Sequence, residues 1–292
     1  MMKIGAIDIG TNSCRLLIAE LDEFKELKPV VQAMETTRLG EGLNGTKRIG
    51  NAAMDKTMKC LAGFHNILQQ MDVKKYRLIA TSAVREAENK GEFLNKLKNG
   101  LNLEIDVISG EQEAQMSYEG VKKGLHISGP FIVVDLGGGS TEFIWEYDGK
   151  MFTYSLKLGA VRAKESAMDS GQAKNVLGLL CEHKGKLSNY RMVFVGGTAT
   201  TLAAVKKKLR KYERSEIHGQ ILTKNEIQEL YTSLKKLSME QKKRLPGLQP
   251  ERADIIVPGA MIVYSIMDFF EKELMQVSGS DILEGIIWDL CR

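Results

Sequence analysis

The sequence predicts an α/β protein built from two related domains. Three observations predict it: a signature that occurs twice, a length of 292 residues, and an order of strands and helices that repeats. Near the start the chain reads IGAIDIGTNSCRLLIAEL, from Ile4 to Leu21. Near the middle it reads FIVVDLGGGSTEFIWEY, from Phe131 to Tyr147. Each copy runs from apolar and β-branched residues to Asp, an apolar residue, Gly, two further small residues and Ser, and then to a second apolar run. Asp8 corresponds to Asp135, Gly10 to Gly137 and Ser13 to Ser140. The pattern is strand, tight glycine turn, strand, and such a turn exposes its backbone N–H groups. A Gly- and Ser-rich turn preceded by a carboxylate suits a phosphate and its metal ion. Two such turns, one per half, predict a phosphate held in a cleft between two domains, and the chain is long enough for both.

Elements follow in order from spacing and turn chemistry. Strands are predicted at Lys3–Ile7 and Arg15–Glu20 around the first turn. A third, Pro29–Thr36, leads into a loop from Arg38 to Arg48. Positions of one face recur at close to helical spacing through Asn51–Met71: Ala53, Thr57, Cys60, Leu61, Phe64, Ile67 and Leu68. A strand at Tyr76–Ala80, a helix over Ala83–Lys98 and a strand at Leu103–Ile108 come next. Ser109 followed by Gln112 fits a capping box and opens a helix to about Lys123. The stretch LHISGP, residues 125–130, has turn chemistry and no periodicity. It sets the expected boundary between domains 1–124 and 125–292, with the final helix able to pack back on the first domain. The second half repeats the order: strands Phe131–Val134, Glu142–Tyr147 and Met151–Lys157, then helices, then strand Met192–Val195. A Gly–Gly turn at Gly196–Gly197 opens a further helix, whose free N–H groups and dipole end suit an anion. Helices over Lys224–Leu237 and Pro250–Lys272, a strand at Leu274–Ser278 and a helix from Asp281 complete the prediction.

Composition narrows the class. Hydrophobic residues make up 43% and charged residues 27%, as in a soluble globular protein. No apolar run approaches a membrane span. Asp8 interrupts the N-terminal apolar stretch where a signal peptide needs continuity. Cys14, Cys60, Cys181 and Cys291 are scattered and form neither a zinc pattern nor a disulfide framework. A cytoplasmic location with reduced thiols is the expectation. Net charge is +4, with much of the excess in Lys206–Arg214 and Lys235–Arg244. Those runs read as solvated helix faces or as attraction for a polyanion.

Several motifs carry chemistry. A single DxGxxS is weak, because Asp and Gly are ordinary turn residues; two copies between apolar strands are far more specific. The Gly196, Gly197, Thr198 turn reads as a third phosphate turn or as a plain strand-to-helix connection. Residues Arg38–Gly45 contain a GxGxxG match, but no helix opens after it, which excludes a dinucleotide fingerprint. A loop with Arg38 reaching an anion fits better. Arg85, just after a strand, either forks onto phosphate oxygens or is a surface arginine. Glu111 and Glu113 lie in a first helical turn, where carboxylates favour the dipole; one of them is also placed to hold a water for attack. Glu142, just after the second turn, is placed to face the same water. His65, His126, His183 and His218 have no ligand spacing, and no GxSxG elbow occurs.

The set DIGTNS, TSAVREA, ISGEQEA, DLGGGSTE and VGGTATTLAA, in this order, resembles the exopolyphosphatase / guanosine pentaphosphate phosphatase family. The stretches IHGQ, LPGLQPERADIIVPG and VSGSDILEG fit it too, so the resemblance runs from about Ile4 to about Asp289. It implies two actin-like (ribonuclease H-like) domains flanking a cleft, as in sugar kinases and heat-shock ATPases. It implies hydrolysis of the terminal phosphoryl group of inorganic polyphosphate, or of guanosine pentaphosphate, with Mg²⁺. Carried over residue by residue, Glu113 takes the catalytic role and Asp135 the metal-linked one, with Glu142 adjoining. The phosphate-contacting turns fall on Gly10, Thr11, Asn12 and Ser13; on Gly137, Gly138, Gly139, Ser140 and Thr141; and on Gly196, Gly197 and Thr198. Arg38 and Arg85 match the family's arginines. Asp8 is the expected second metal contact.

Two departures stand out. Gln112 replaces a Glu that many members carry before the catalytic one, and Leu283 replaces an Arg before Glu-Gly. The chain also ends at Arg292 without the added C-terminal domains of longer members, which sets an expectation of short polyphosphates as substrates. No nucleic-acid or membrane partner is expected, and a homodimer is the candidate assembly. The rival readings are an ATP-binding kinase or chaperone-type ATPase on the same fold, and a guanosine tetraphosphate sensor without catalysis.

Overall fold

A computed structural model describes residues 2–23, 26–211 and 213–292. Contacts divide the chain into two compact units, Met1–Gly120 with Ile282–Arg292, and Val121–Asp281. Among the described residues, no helix is long and apolar enough to cross a membrane.

The first unit opens with β1 (Met2–Ile9), β2 (Ser13–Leu21) and β3 (Leu27–Thr36). The one-turn helix α1 (Leu43–Thr46), α2 (Asn51–Gln70), β4 (Lys75–Ala80), α3 (Ser82–Glu86), α4 (Lys90–Leu101) and β5 (Asp106–Val107) follow, and then α5 (Gly110–Gly124), whose last four residues belong to the second unit. The described strands form one sheet in the order β3-β2-β1-β4-β5. β2 runs antiparallel to both β1 and β3, while β4 and β5 run parallel to β1. β1 is buried on both faces, as its near-continuous apolar run demands. Ile7 and Ile9 pack towards α2, with Leu61, Phe64 and Leu68. Ile4 and Ala6 pack on the opposite face, with Ile282, Ile286 and Ile287.

The second unit repeats the plan. It contains β6 (Phe131–Leu136), β7 (Thr141–Tyr147), β8 (Lys150–Leu156), α6 (Ala160–Glu165), α7 (Ser170–Leu177), α8 (Cys181–Lys184) and β9 (Arg191–Val195). It continues with α9 (Gly196–Lys206), α10 (Arg214–Ile217), β10 (Ile221–Thr223), α11 (Lys224–Lys236), α12 (Met239–Lys243), α13 (Ile256–Phe269) and β11 (Leu274–Val277). Here the order is β10-β11-β9-β6-β7-β8. With β6 in the place of β1, the same strand order and directions recur, and β10 adds an antiparallel edge. Two copies of this order, with the second strand antiparallel to its neighbours, are the ribonuclease H-like arrangement expected. The last helix, α14 (Ile282–Leu290), belongs to the first unit, where it packs on β1, β2 and β4.

Local departures from the prediction have physical causes. The single helix expected over 83–98 is broken between α3 and α4. The Asn89 carboxamide there donates to Ile49 O at 3.0 Å and accepts from Ile49 N–H at 2.8 Å, which ties the break to a distant loop. The expected loop 38–48 contains the single turn α1. The strand expected at 103–108 shortens to β5, and β10 was not predicted. Residues 250–255 form a 3₁₀ turn and connection before α13, and Pro258 sits in the first turn of α13, where its missing N–H removes no helical bond. Ser109 and Gln112 do form the capping box, at 2.9 and 3.1 Å. That box fixes where α5 begins.

Candidate active site

In the first unit, the turn between β1 and β2 closes with Gly10 N–H donating to Ser13 O at 3.0 Å. The loop after β3 docks on it from behind. Arg38 N–H donates to Asn12 O at 2.8 Å and Gly40 N–H to Thr11 O at 2.9 Å. A Cβ on Gly40 would collide with the Thr11 methyl, so this approach needs glycine. The turn's carbonyls are thereby satisfied. Among the described residues, no hydrogen bond takes up the N–H of Thr11 or Asn12. Successive donors of this kind suit an anion. Arg38 is exposed and adopts a left-handed backbone, φ 53°.

The second unit uses the same device. Gly137 N–H donates to Ser140 O at 3.0 Å, and the first turn of α6 caps the carbonyls. Ala160 N–H reaches Gly137 O at 3.0 Å, Val161 and Arg162 N–H reach Gly138 O at 2.9 and 3.0 Å, and Arg162 Nε reaches Gly139 O at 2.7 Å. Again no described hydrogen bond takes up the N–H of Gly138 or Gly139. Thr141 is fully buried and its hydroxyl donates to Leu158 O, so it offers the turn no side-chain donor.

Register distinguishes the two copies. Asp8 stands opposite Arg15 on β2, and Asp135 stands opposite Glu142 on β7. Asp8 Oδ2 accepts from Arg15 Nε at 3.0 Å and Nη2 at 2.7 Å, so one carboxylate oxygen takes two charge-assisted bonds from the guanidinium. The second copy instead places two acidic residues at opposed positions of the ladder, on one face of the sheet. Glu142 also accepts from Ser155 Oγ at 2.8 Å. Two hard oxygen ligands on one face fit Mg²⁺, which takes one or two carboxylates and completes its shell with water and phosphate. No group of three or more His, Cys, Asp or Glu among the described residues forms a cage for a metal. Asp8, expected as a second metal contact, has its Oδ2 committed to Arg15.

The third turn lies against the second. Gly196 has φ 86°, and a Cβ there would stand 3.0 Å from Asp135 Oδ1. A Cβ on Gly197 would collide with the guanidinium of Arg252. Arg252 therefore lies over the first turn of α9. Thr198 is buried, with its side chain against Gly259 of α13.

Glu113 sits in the first turn of α5. Its Oε2 accepts from Arg85 Nη1 at 3.0 Å, and the same nitrogen donates to Ile108 O at 3.0 Å. The structure thus brings Arg85 onto Glu113, where the sequence pointed to phosphate oxygens. Both side chains are about one-third exposed. Glu111 is exposed in the same turn. Below the first turn, Cys14 and Cys60 are buried. The hydrogen bond with Cys14, then burial, pushes the Cys60 thiol far above its usual range, so it stays protonated.

Sequence reasoning missed Arg15, Arg162 and Arg252. Arg15 was accessible, because the aligned hairpins place it where Glu142 stands. Arg252 lies in a quoted motif, but its contact with Gly197 joins residues far apart in the chain.

Each unit thus carries a glycine turn with unclaimed N–H groups, which suits an anion. Comparison with known proteins gives the protein's class: residues 17–292 match the Ppx/GppA phosphatase family. The chain belongs to that family. It is 34% identical over 305 residues to a bifunctional 3-dehydroquinate synthase/phosphatase of Fusobacterium nucleatum, covering 97% of this chain and 46% of the relative. The chain thus spans about half the length of that relative. It is 30% identical to exopolyphosphatase 2 of Mycobacterium tuberculosis, covering 99% of each. A crystal structure of the Aquifex aeolicus Ppx/GppA phosphatase superposes with a TM-score of 0.84 at 29% identity, covering 100% of each chain.

Proposed function

We propose that this protein is an exopolyphosphatase that releases the terminal phosphate of inorganic polyphosphate, short chains above all. The observation that carries the reading is Glu113, a carboxylate fixed by Arg85 in the first turn of α5. Phosphoryl transfer needs positioning and charge neutralisation more than covalent chemistry. In this reading the unclaimed N–H groups of each glycine turn are phosphate donors, Thr11 and Asn12 in the first unit and Gly138 and Gly139 in the second. Arg38 and Arg252 steady the anionic chain. Glu113 orients the attacking water and accepts its proton. Asp135 and Glu142 would hold Mg²⁺, which when bound offsets the charge of the phosphate. The end-to-end likeness to a protein named exopolyphosphatase 2 supports the polyphosphate reading, and relatives of equal identity named guanosine-5'-triphosphate,3'-diphosphate pyrophosphatase keep guanosine pentaphosphate as the second one.

The test is phosphate release with Mg²⁺ from short polyphosphate, long polyphosphate and guanosine pentaphosphate side by side. Short polyphosphate is expected to give the highest kcat/KM. Faster release from guanosine pentaphosphate would overturn the substrate assignment. Tight nucleotide binding without release would make the protein a sensor.

A further inference from the structure

α5 carries Glu113 at one end and terminates at Gly124. Its last carbonyl is engaged: Gly124 O lies 2.9 Å from His218 Nε2. On the other side of the ring, the N–H of Gly279 donates to His218 Nδ1 at 3.0 Å. A carbonyl only accepts and an amide N–H only donates. These two partners therefore require the neutral ring with its proton on Nε2. Arg214 holds the same segment, with Nε to Gly279 O at 3.0 Å and Nη2 to Ser280 Oγ at 2.6 Å. Ser278 braces the turn, donating to Ser280 O at 2.7 Å and accepting the Ser280 N–H at 3.0 Å. Gly124 packs so tightly on Ser280 that a Cβ would collide with it.

We propose that His218 is a positioning residue that clamps the C-terminal end of α5 to the segment 278–280 and so fixes the helix that carries Glu113. The link to catalysis rests on the assignment of Glu113 above. A helix of 15 residues is a rod of about 22 Å, so movement at Gly124 is transmitted to the first turn. The clamp is also sensitive to acid. Burial lowers the His218 pKa first, and the charges of Arg214 and His126 lower it further, while the bond to Gly124 acts in the opposite direction. Protonation would put an N–H on Nδ1 against the Gly279 N–H. With its folded value below the unfolded one, the clamp is in place above the ordinary histidine pKa. It is lost as pH falls through the lowered value.

Two variants test this. His218→Leu removes donor and acceptor; His218→Gln keeps both and does not titrate. Hydrogen exchange across residues 110–124 should be about tenfold faster or more in the leucine variant. Its kcat should fall on the order of 10–100-fold, with KM little changed. The glutamine variant should recover both, and should lack the acid-side loss of α5 protection seen in the unaltered protein. Unchanged exchange in the first turn of α5 in the leucine variant would overturn the clamp. So would a glutamine variant that keeps the acid-side loss, and this second readout stands even if the leucine variant fails to fold. Faster exchange with unchanged kcat would uphold the clamp and remove Glu113 from catalysis.

Discussion

Glu113 and Arg85 form a pair whose members have separable effects. Glu113→Gln keeps size and hydrogen bonding but removes the proton acceptor. It should lower kcat by about 10²–10⁴ with little change in substrate affinity. Near-normal turnover in that variant would remove Glu113 from the role. The two hairpin carboxylates should part company in the same way. Asp135→Asn removes a proposed Mg²⁺ ligand at nearly constant size, so the Mg²⁺ needed for half-maximal rate should rise. Asp8→Asn breaks the bond to Arg15 and should instead lower stability by about 1.5–3 kcal/mol, with Mg²⁺ dependence unchanged. Urea denaturation and Mg²⁺ titration of both variants check this pair of outcomes. Asp8 and Asp135 were equally visible in the sequence, because each ends an apolar run and precedes a glycine. Their difference was not, because it depends on which residue stands opposite in the ladder.

Close approach of backbones sets the tolerance of the helices. A Cβ on Gly285 in α14 would collide with the Met116 backbone of α5. Gly285→Ala should therefore destabilise by about 1–3 kcal/mol through overpacking, against a gain of about 1 kcal/mol in helix propensity. A lower urea midpoint is expected, and an unchanged or higher one would show that the helices separate without cost. The start of α5 was legible because Ser109 and Gln112 carry a local signal. The break between α3 and α4 was not, because Asn89 answers to Ile49. β10 escaped for a different reason: three residues are too few to show alternation.

For the molecule as a whole, charge bears on substrate length. Part of the basic excess is already matched: Lys206 pairs with Glu226 at 2.7 Å, Lys207 with Glu216 at 2.6 Å and Lys243 with Glu240 at 3.6 Å. Tyr212, within the first basic run, lies outside the described residues. A long polyanion thus gains less from these runs than their sequence suggests. Digestion of long chains should give a gradual ladder on a gel, and fully shortened chains beside untouched ones would contradict it. KM should rise with salt, because cationic contacts are screened beyond roughly 8 Å at physiological ionic strength. The duplicated domain plan was legible in the repeated signature. The return of the last helix to the first unit was foreseen only as an option, since no local pattern states which sheet a helix will cover.

That return has a consequence for biosynthesis. Residues Ile4, Ala6, Leu17, Ala19 and Ile79 present one apolar face of the first sheet, which α14 covers together with Ile108 and with Met116 of α5. The ribosome makes that face early, then all of residues 121–281, and only afterwards the helix. The second unit is one unbroken stretch and has every residue it needs before α14 emerges. Until then the first unit lacks the Ile282–Ile287 part of this cluster, and exposed apolar surface of that kind makes a nascent chain prone to chaperone capture or aggregation.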